Sequence, residues 1–304
     1  MPCYHPIKGW YSASKTALGK RAVVFTRKGA LVDLPVTLPC GRCIGCRLEK
    51  SRQWAMRCTH ESQLHSCNSF ITLTYDPANL PPYGSLVVSD FQKFMKKLRK
   101  ALGKNGKKIR FFHCGEYGEL EGRPHYHAII FGYDFPDKYK WRITDRGDTL
   151  YRSPMLERLW DLGSSEIGEV TFESAAYVAR YSLKKITGPM AENHYSRVNL
   201  ETGEIVKIQP EYLTMSRRPG IGAGWFDKYK TDVYPRDSLT LRGKKMRPPR
   251  FYDNRYEMLS PERMDKIRAI RAREGKKCVD NNTPERLAVR EEITAYRLSQ
   301  LKRS

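Results

Sequence analysis

The chain has 304 residues, 40% of them hydrophobic and 11% aromatic, which excludes a disordered chain and allows a packed core. Lys and Arg number 55 against 33 Asp and Glu, a formal charge of +22 with a pI of about 9.7, so the expected partner is a polyanion, nucleic acid before a membrane surface. No apolar run approaches the roughly 20 residues that span a bilayer, and Met1-Pro2-Cys3-Tyr4-His5-Pro6 lacks the apolar core of a signal peptide. The expectation is a protein of a reducing cytoplasm, where eight cysteines point to metal binding or free thiols rather than disulfides.

In chain order, Ala22-Val23-Val24-Phe25-Thr26 and Leu31-Val32-Asp33-Leu34-Pro35-Val36 around Lys28-Gly29 predict a small hairpin. Cys40-Gly41-Arg42-Cys43-Ile44-Gly45-Cys46 holds two overlapping C-x-x-C steps, the shape of a structural zinc knuckle. A tetrahedral site wants a fourth ligand, for which Cys3 and His5 are candidates and Cys58 a weaker one. A helix follows on the spacing of Ile44, Leu48, Ser51, Ala55, Cys58 and Ser62, with Arg42, Arg47, Lys50, Arg52 and Arg57 around it, a solvated face or a set of phosphate contacts.

Phe70-Ile71-Thr72-Leu73-Thr74-Tyr75 predicts a strand stopped by Asp76-Pro77. Ser89-Asp90-Phe91-Gln92 has the form of a capping box, and Phe91, Phe94, Met95, Leu98 and Leu102 recur at helical period up to Gly103. A second strand, Ile109-Arg110-Phe111-Phe112-His113-Cys114, leads through Gly115-Glu116-Tyr117-Gly118-Glu119 into Pro124-His125-Tyr126-His127-Ala128-Ile129-Ile130-Phe131. Side chains alternate along a strand, so His125 and His127 share a face about 7 Å apart, while Tyr126 and Ile130 take the other. Strand, helix, strand, turn, strand predicts an α+β fold: a split βαβ, ferredoxin- or RRM-like antiparallel sheet with flanking helices. The strand that opens at Phe70 is then antiparallel to the histidine strand, and the hairpin brings Glu116 or Glu119 to the mouth of the histidine pair. Glu116 is preferred because it is still on its strand. Two imidazoles and a carboxylate suit a divalent cation such as Mg²⁺ or Mn²⁺.

Residues 141–162 read as an insertion with a short helix over 155–160, and Glu166 to Phe172 as a strand. The next helix has a core stripe of Phe172, Ala176, Ala179, Leu183 and Ile186, which puts Tyr177 and Tyr181 nearly opposite it, one turn apart, with Lys184 and Lys185 on their general side. A phenol can attack a phosphodiester and conserve the bond as a phosphotyrosine, and a neighbouring lysine can lower its pKa or hold a phosphate.

Three ordered segments, Phe70-Ile71-Thr72-Leu73-Thr74-Tyr75, His125-Tyr126-His127 and Tyr177-Val178-Ala179-Arg180-Tyr181, resemble those of HUH endonucleases that initiate rolling-circle replication. Over residues 1–235, with the cysteine stretch and Arg218-Pro219-Gly220-Ile221-Gly222, the chain is similar to the replication initiators of small circular single-stranded DNA phages, the gokushovirus group of the Microviridae. The resemblance implies the HUH fold, nicking of one origin strand, a 5′-phosphotyrosine link, a 3′-OH primer and later rejoining of the displaced circle. It also implies Mg²⁺ or Mn²⁺ on His125 and His127, Tyr177 and Tyr181 as nucleophiles, origin DNA and host replication proteins (helicase, polymerase) as partners, and action in the bacterial host cytoplasm without a membrane. Arg180 stands where related phage proteins often have lysine; it keeps a phosphate contact and passes any acid role to Lys184 or Lys185.

Beyond this helix, 204–209 and 212–215 predict strands. Arg217-Arg218-Pro219-Gly220-Ile221-Gly222-Ala223-Gly224-Trp225 is a basic, glycine-rich loop whose Arg217 and Arg218 suit a DNA backbone and whose Trp225 suits base stacking; a plain surface turn is the competing reading. The tail is basic, with helix starts at Ser260-Pro261-Glu262 and Thr283-Pro284-Glu285 and a thin stripe of Met264, Ile267 and Ile270. The expected division is a cysteine-rich zinc region over 1–69, an endonuclease core over 70–235 and a basic helical tail over 236–304. Two other functions compete: a transposase or relaxase on the same fold, and a non-catalytic zinc-containing nucleic-acid-binding protein.

Overall fold

The computed structural model describes residues 3–16, 19, 21–103, 108–118, 122–145, 147–181, 185–186, 190–199 and 201–300, with Tyr181 described by its backbone alone. The chain divides into two compact units, Met1–Lys50 with Arg268–Ser304, and Ser51–Ile267.

The first unit opens with β1 (Ile7–Lys15), β2 (Arg21–Val24) and β3 (Ala30–Leu38), an antiparallel sheet in the order β2-β1-β3. The segments expected to pair as a hairpin therefore do not pair with each other. β1 lies between them, with Tyr11 opposite both Val23 and Leu31. Helix α1 (Ile44–Ser62) starts inside the cysteine cluster, as its spacing predicts.

The second unit is built on a seven-stranded sheet. Its strands are β4 (Asn68–Tyr75), β5 (Arg110–Tyr117), β6 (Pro124–Phe131), β7 (Tyr139–Ile143), β8 (Thr149–Arg152), β9 (Gly163–Gly168) and, after a small β10 (Ser196–Val198) and β11 (Ile205–Lys207) pair, β12 (Tyr212–Met215). The order is β12-β5-β6-β4-β9-β8-β7, with every neighbouring pair antiparallel. The expected insertion is thus a hairpin that widens the sheet by two strands. One face, carrying Ile71, Leu73, Tyr126 and Ile130, packs on Phe91, Phe94 and Leu98 of α2 (Val88–Ala101) and on Trp160 beyond α3 (Pro154–Leu159). Each such large apolar side chain contributes roughly 1.5–3 kcal/mol by leaving water.

The other face, with Phe112, Cys114, Ile129 and Phe131, packs on Ala55 and Cys58 of α1 and on Ala175, Val178 and Ala179 of α4 (Phe172–Tyr181). Cys58 is therefore a core residue. The fully buried positions of α4 are Ala175, Val178 and Ala179, with Phe172 and Ala176 half-buried beside them; Leu183 of the expected stripe lies outside the described residues.

The start of α2 differs from the expected capping box. The N-cap is Val87, whose side chain cannot accept a hydrogen bond, and Ser89 lies within the helix. The buried Tyr126 hydroxyl holds that end instead, accepting from Val87 N–H (3.0 Å) and donating to Val87 C=O (2.9 Å). A residue distant in sequence has replaced a local cap.

After α5 (Met190–His194), the chain passes β10 to β12 and enters α6 (Ala223–Val233), the pair β13 (Leu239–Leu241) and β14 (Lys244–Met246), and α7 (Arg250–Leu259). Trp225, expected to be a base-stacking side chain on a loop, is 9% exposed on α6. It stacks on His60 at 3.6 Å and donates to Gln63 Oε1 (2.7 Å). Arg57 is also structural: its guanidinium lies between Trp54 and Phe251 and donates to Ile221 C=O (2.9 Å). Gly222 sits at φ 77°, its N–H donating to Glu61, where a Cβ would meet the Tyr252 hydroxyl at 2.7 Å.

The chain ends in α8 (Pro261–Lys276) and α9 (Pro284–Ser299). Met264 and Ile267 are buried but Ile270 is 52% exposed, so the expected stripe stops one turn early. Thr283 caps α9 as its Thr-Pro-Glu signal predicts, accepting from Arg286 N–H. Within the first unit, α9 is held by its buried Leu287, the Tyr4–Thr294 hydroxyl pair (2.8 Å) and the His5–Glu291 contact (2.6 Å).

Candidate metal centres and nucleophile

The sheet places Glu116 of β5 directly opposite His125 of β6, and Cys114 opposite His127. Glu116, His125 and His127 therefore share one face and converge. Glu116 Oε1 lies 2.8 Å from His125 Nε2 and 2.9 Å from His127 Nε2. Glu116 is 1% exposed. Burial works to raise its pKa, but the two imidazoles bonded to it outweigh that and hold the carboxyl below its ordinary value.

The outward nitrogens of both rings are also occupied. His127 Nδ1 is 3.0 Å from Thr72 Oγ1, and His125 Nδ1 is 3.0 Å from Arg123 C=O. A carbonyl only accepts, so His125 carries a proton on Nδ1, which leaves Nε2, beside Glu116 Oε1, as the nitrogen that can ligate a metal. Thr72 can accept from Nδ1 of His127 in the same way. One carboxylate and two imidazole Nε2 atoms, all within 4.8 Å of one another, fit a divalent cation by donor chemistry and spacing. Thr72 had no expected role, although its parity with His127 across two adjacent strands was readable.

Helix α4 brings Tyr177 to the same place. Its half-buried ring meets the His127 ring edge to face at 5.1 Å and Phe70 at 6.4 Å. The phenol thus lies over the sheet at the triad, not on an outer helix face. Tyr181 ends α4. Arg180 is half-buried, and Lys185 is exposed past the helix end. Lys184 and Glu119 lie outside the described residues. Arg217 and Arg218 are exposed on the turn between β12 and α6. A cavity of about 250 Å³ beside Pro124 is lined in part by Tyr83, Arg123 and Arg197.

The first unit holds a second donor set. Cys3, Cys40, Cys43 and Cys46 bring their sulfurs within 4.8 Å of one another. Cys40 and Cys46 are 4.0 Å apart, twice a disulfide length, and all four thiols are free. Backbone N–H groups point at the sulfurs: Cys40 N–H at Cys3 Sγ (3.2 Å), Tyr4 N–H at Cys43 Sγ (3.3 Å) and Cys43 N–H at Cys40 Sγ (3.3 Å). Burial opposes ionisation of Cys43, but the backbone N–H groups of Tyr4 and Cys46 and the neighbouring Cys46 and Cys40 thiols bring it down to about 6. Four thiolates in this arrangement fit a tetrahedral structural ion. His5, the other candidate fourth ligand, is engaged by Glu291 instead.

Comparison with known proteins gives one consistent result. Residues 68–186 match the family of the replication-associated protein ORF2/G2P. The chain is 33% identical to the replication-associated protein VP4 of Bdellovibrio phage phiMH2K, over 86% of this chain and 79% of that one. It is 33% identical to the replication-associated protein ORF2 of Spiroplasma virus 4, over 73% and 68%. With the replication-associated protein ORF4 of Chlamydia phage 1 it shares 37% identity, over 49% and 38%. No solved structure matches.

Proposed function

The chain belongs to the phage replication-associated proteins, and from that premise we propose that it is a rolling-circle initiator of the HUH endonuclease type, nicking one origin strand through a tyrosine. The observation that carries this reading is the meeting of Glu116, His125 and His127 with the Tyr177 ring on one sheet face.

Mg²⁺ or Mn²⁺ held by Glu116, His125 and His127 would polarise the scissile phosphate and offset charge gathering on it. Thr72 and the Arg123 carbonyl engage the Nδ1 atoms and so hold both Nε2 atoms inward, where they would ligate the ion. The Tyr177 phenol oxygen bonds to phosphorus as the bond from phosphorus to the 3′ oxygen breaks. The phenol proton passes to solvent or a nearby base, and the departing 3′ oxygen takes up a proton to become the 3′-OH primer. The strand remains on the protein as a 5′-phosphotyrosine. Tyr181, one turn on, supplies a second phenol for the cut that releases and closes the displaced strand. Arg180, Arg217 and Arg218 hold backbone phosphates, and Lys184 and Lys185 assist proton transfer or phosphate binding.

In this reading residues 70–235 carry the chemistry. Residues 1–69 hold a structural zinc ion on Cys3, Cys40, Cys43 and Cys46, and residues 236–304 add basic, weakly specific DNA affinity. Origin DNA is the substrate, host helicase and polymerase act on the exposed primer, and the work is done in the host cytoplasm. The test is cleavage of single-stranded oligonucleotides tiling the replicon in the presence of Mn²⁺. His127→Ala should abolish cleavage while oligonucleotide binding, supplied mostly by Lys and Arg, persists. Undiminished nicking by the His125→Ala/His127→Ala double variant would overturn the assignment.

A further inference from the structure

The β7–β8 hairpin is the part of the sheet that the chemistry above does not use. All five residues of β7 are exposed, and three are large: Tyr139 (47%), Trp141 (48%) and Ile143 (56%). A sheet edge with this much apolar surface needs something to cover it. Strand addition is disfavoured, because the ladder with β8 is irregular between Lys140 and Arg142, leaving Trp141 as an extra residue. What the hairpin offers is an aromatic face. The Arg152 guanidinium carbon lies 3.9 Å from the centre of the Trp141 ring. One face of the indole is thus backed by a cation, and the exposed remainder is free to take a flat partner. Between 138 and 152 the sequence has five Lys or Arg against two Asp, so that partner is an anion.

Strand pairing says which face this is. His127, Thr72 and Glu166 lie directly opposite one another across β6, β4 and β9. Tyr151 is opposite Ile167, which sets Arg152 opposite Glu166, and Arg152 is opposite Tyr139. Residues opposite one another point to the same side. The row from His127 to Tyr139 therefore lies on one sheet face, and Arg142, bonded to Glu166, belongs to that face as well. Four strand spacings separate β6 from β7, on the order of 19 Å, a span of a few nucleotides.

We propose that this hairpin is a stacking station for single-stranded DNA, in which Trp141, held flat by Arg152, takes a base of the strand whose phosphate is cut at the triad. The proposal rests on the reading of the chain as a DNA nickase. Stacking suits it because any base has a π-face, so the contact adds affinity without reading sequence.

The test uses the full chain and a fluorescein-labelled oligothymidylate of about 20 nucleotides, which carries no origin, at fixed salt. Trp141→Ala should weaken binding roughly tenfold. Trp141→Phe should recover part of the loss, and Ile143→Ala, on the same strand, should change nothing. An oligonucleotide carrying 5-iododeoxyuridine should photo-crosslink to Trp141, as located by mass spectrometry. Unchanged affinity in Trp141→Ala with crosslinks elsewhere would overturn the proposal. So would an equal loss of affinity for a duplex of the same length, since a paired base cannot stack there. Cleavage by Trp141→Ala at saturating origin oligonucleotide should persist. Failure of the stacking station is thereby separated from failure of the nickase reading, which shows as intact binding without cleavage in the unmodified chain.

Discussion

Thr72 Oγ1 lies 3.0 Å from His127 Nδ1, on the opposite side of the ring from Glu116. The two residues are cross-strand partners, Thr72 on β4 and His127 on β6. An acceptor on Nδ1 fixes the tautomer and the ring plane together, and loss of such a partner typically costs 10- to 100-fold in metal affinity. Thr72→Val keeps the shape and removes the hydroxyl. It should weaken Mn²⁺ binding about tenfold by calorimetry, and Thr72→Ser should restore it. Equal Mn²⁺ affinity in all three proteins would mean the hydroxyl has no part in orienting His127.

Glu116 is buried against both imidazoles. Glu116→Ala should therefore lower Mn²⁺-dependent cleavage far more than Glu119→Ala, by at least an order of magnitude if the carboxylate is a ligand. The reverse ranking would move the third ligand to Glu119.

The four cysteines make a separate, checkable claim. Chain purified without chelator should carry about one zinc ion, and Cys43→Ser should lose it. Because α1 begins within the cluster and Tyr4 N–H is spent on Cys43 Sγ, metal loss should lower the thermal midpoint while leaving the Glu116 site able to bind Mn²⁺. Iron, or no metal, by elemental analysis would refute the zinc assignment.

His60 predicts the acid side of stability. It is 3% exposed, stacked on Trp225, with Nδ1 2.9 Å from the Tyr252 hydroxyl, and burial lowers its pKa to about 3. The unfolded chain takes up a proton near 6.5 that the folded chain refuses until about 3. Its contribution is therefore fully present above the unfolded value and is lost as pH falls through that window, on the order of several kcal/mol in all. Urea unfolding between pH 3 and 6.5 should show a steep loss of stability. His60→Gln, less stable at neutral pH, should flatten the slope by about one proton. A slope unchanged by the substitution would mean His60 is not buried as a neutral ring.

Local pattern made much of this legible. The apolar alternation of β4 and β6, the helical period of α2, and the parity of His125 and His127 all follow from residues a few positions apart. So does the position of Glu116 opposite His125, because a short hairpin fixes the pairing. What was illegible depends on distant partners. β1 buries only Gly9 and Ser12, so no apolar alternation marks it as the central strand of its sheet. Ser89 looked like a cap, but Tyr126, on another strand, satisfies that helix end. Trp225 sits among arginines and glycines that read as surface, and only tertiary packing puts it on His60. The hairpin of β7 and β8 was missed for a related reason: an exposed edge strand carries no core pattern.

The central claim is that Tyr177 and Tyr181 are the nucleophiles of a triad-dependent nickase, and covalent adduct mapping tests it most directly. The chain would be incubated with an origin oligonucleotide and Mn²⁺, digested, and the DNA-bearing peptide identified by mass spectrometry. The account predicts DNA on Tyr177 in the Tyr181→Phe variant and on Tyr181 in the Tyr177→Phe variant. The double variant should give no adduct, and release of a closed single-stranded circle should need both phenols. An adduct formed by the double variant, or cleavage by the unmodified chain with no tyrosine ever carrying DNA, would contradict it.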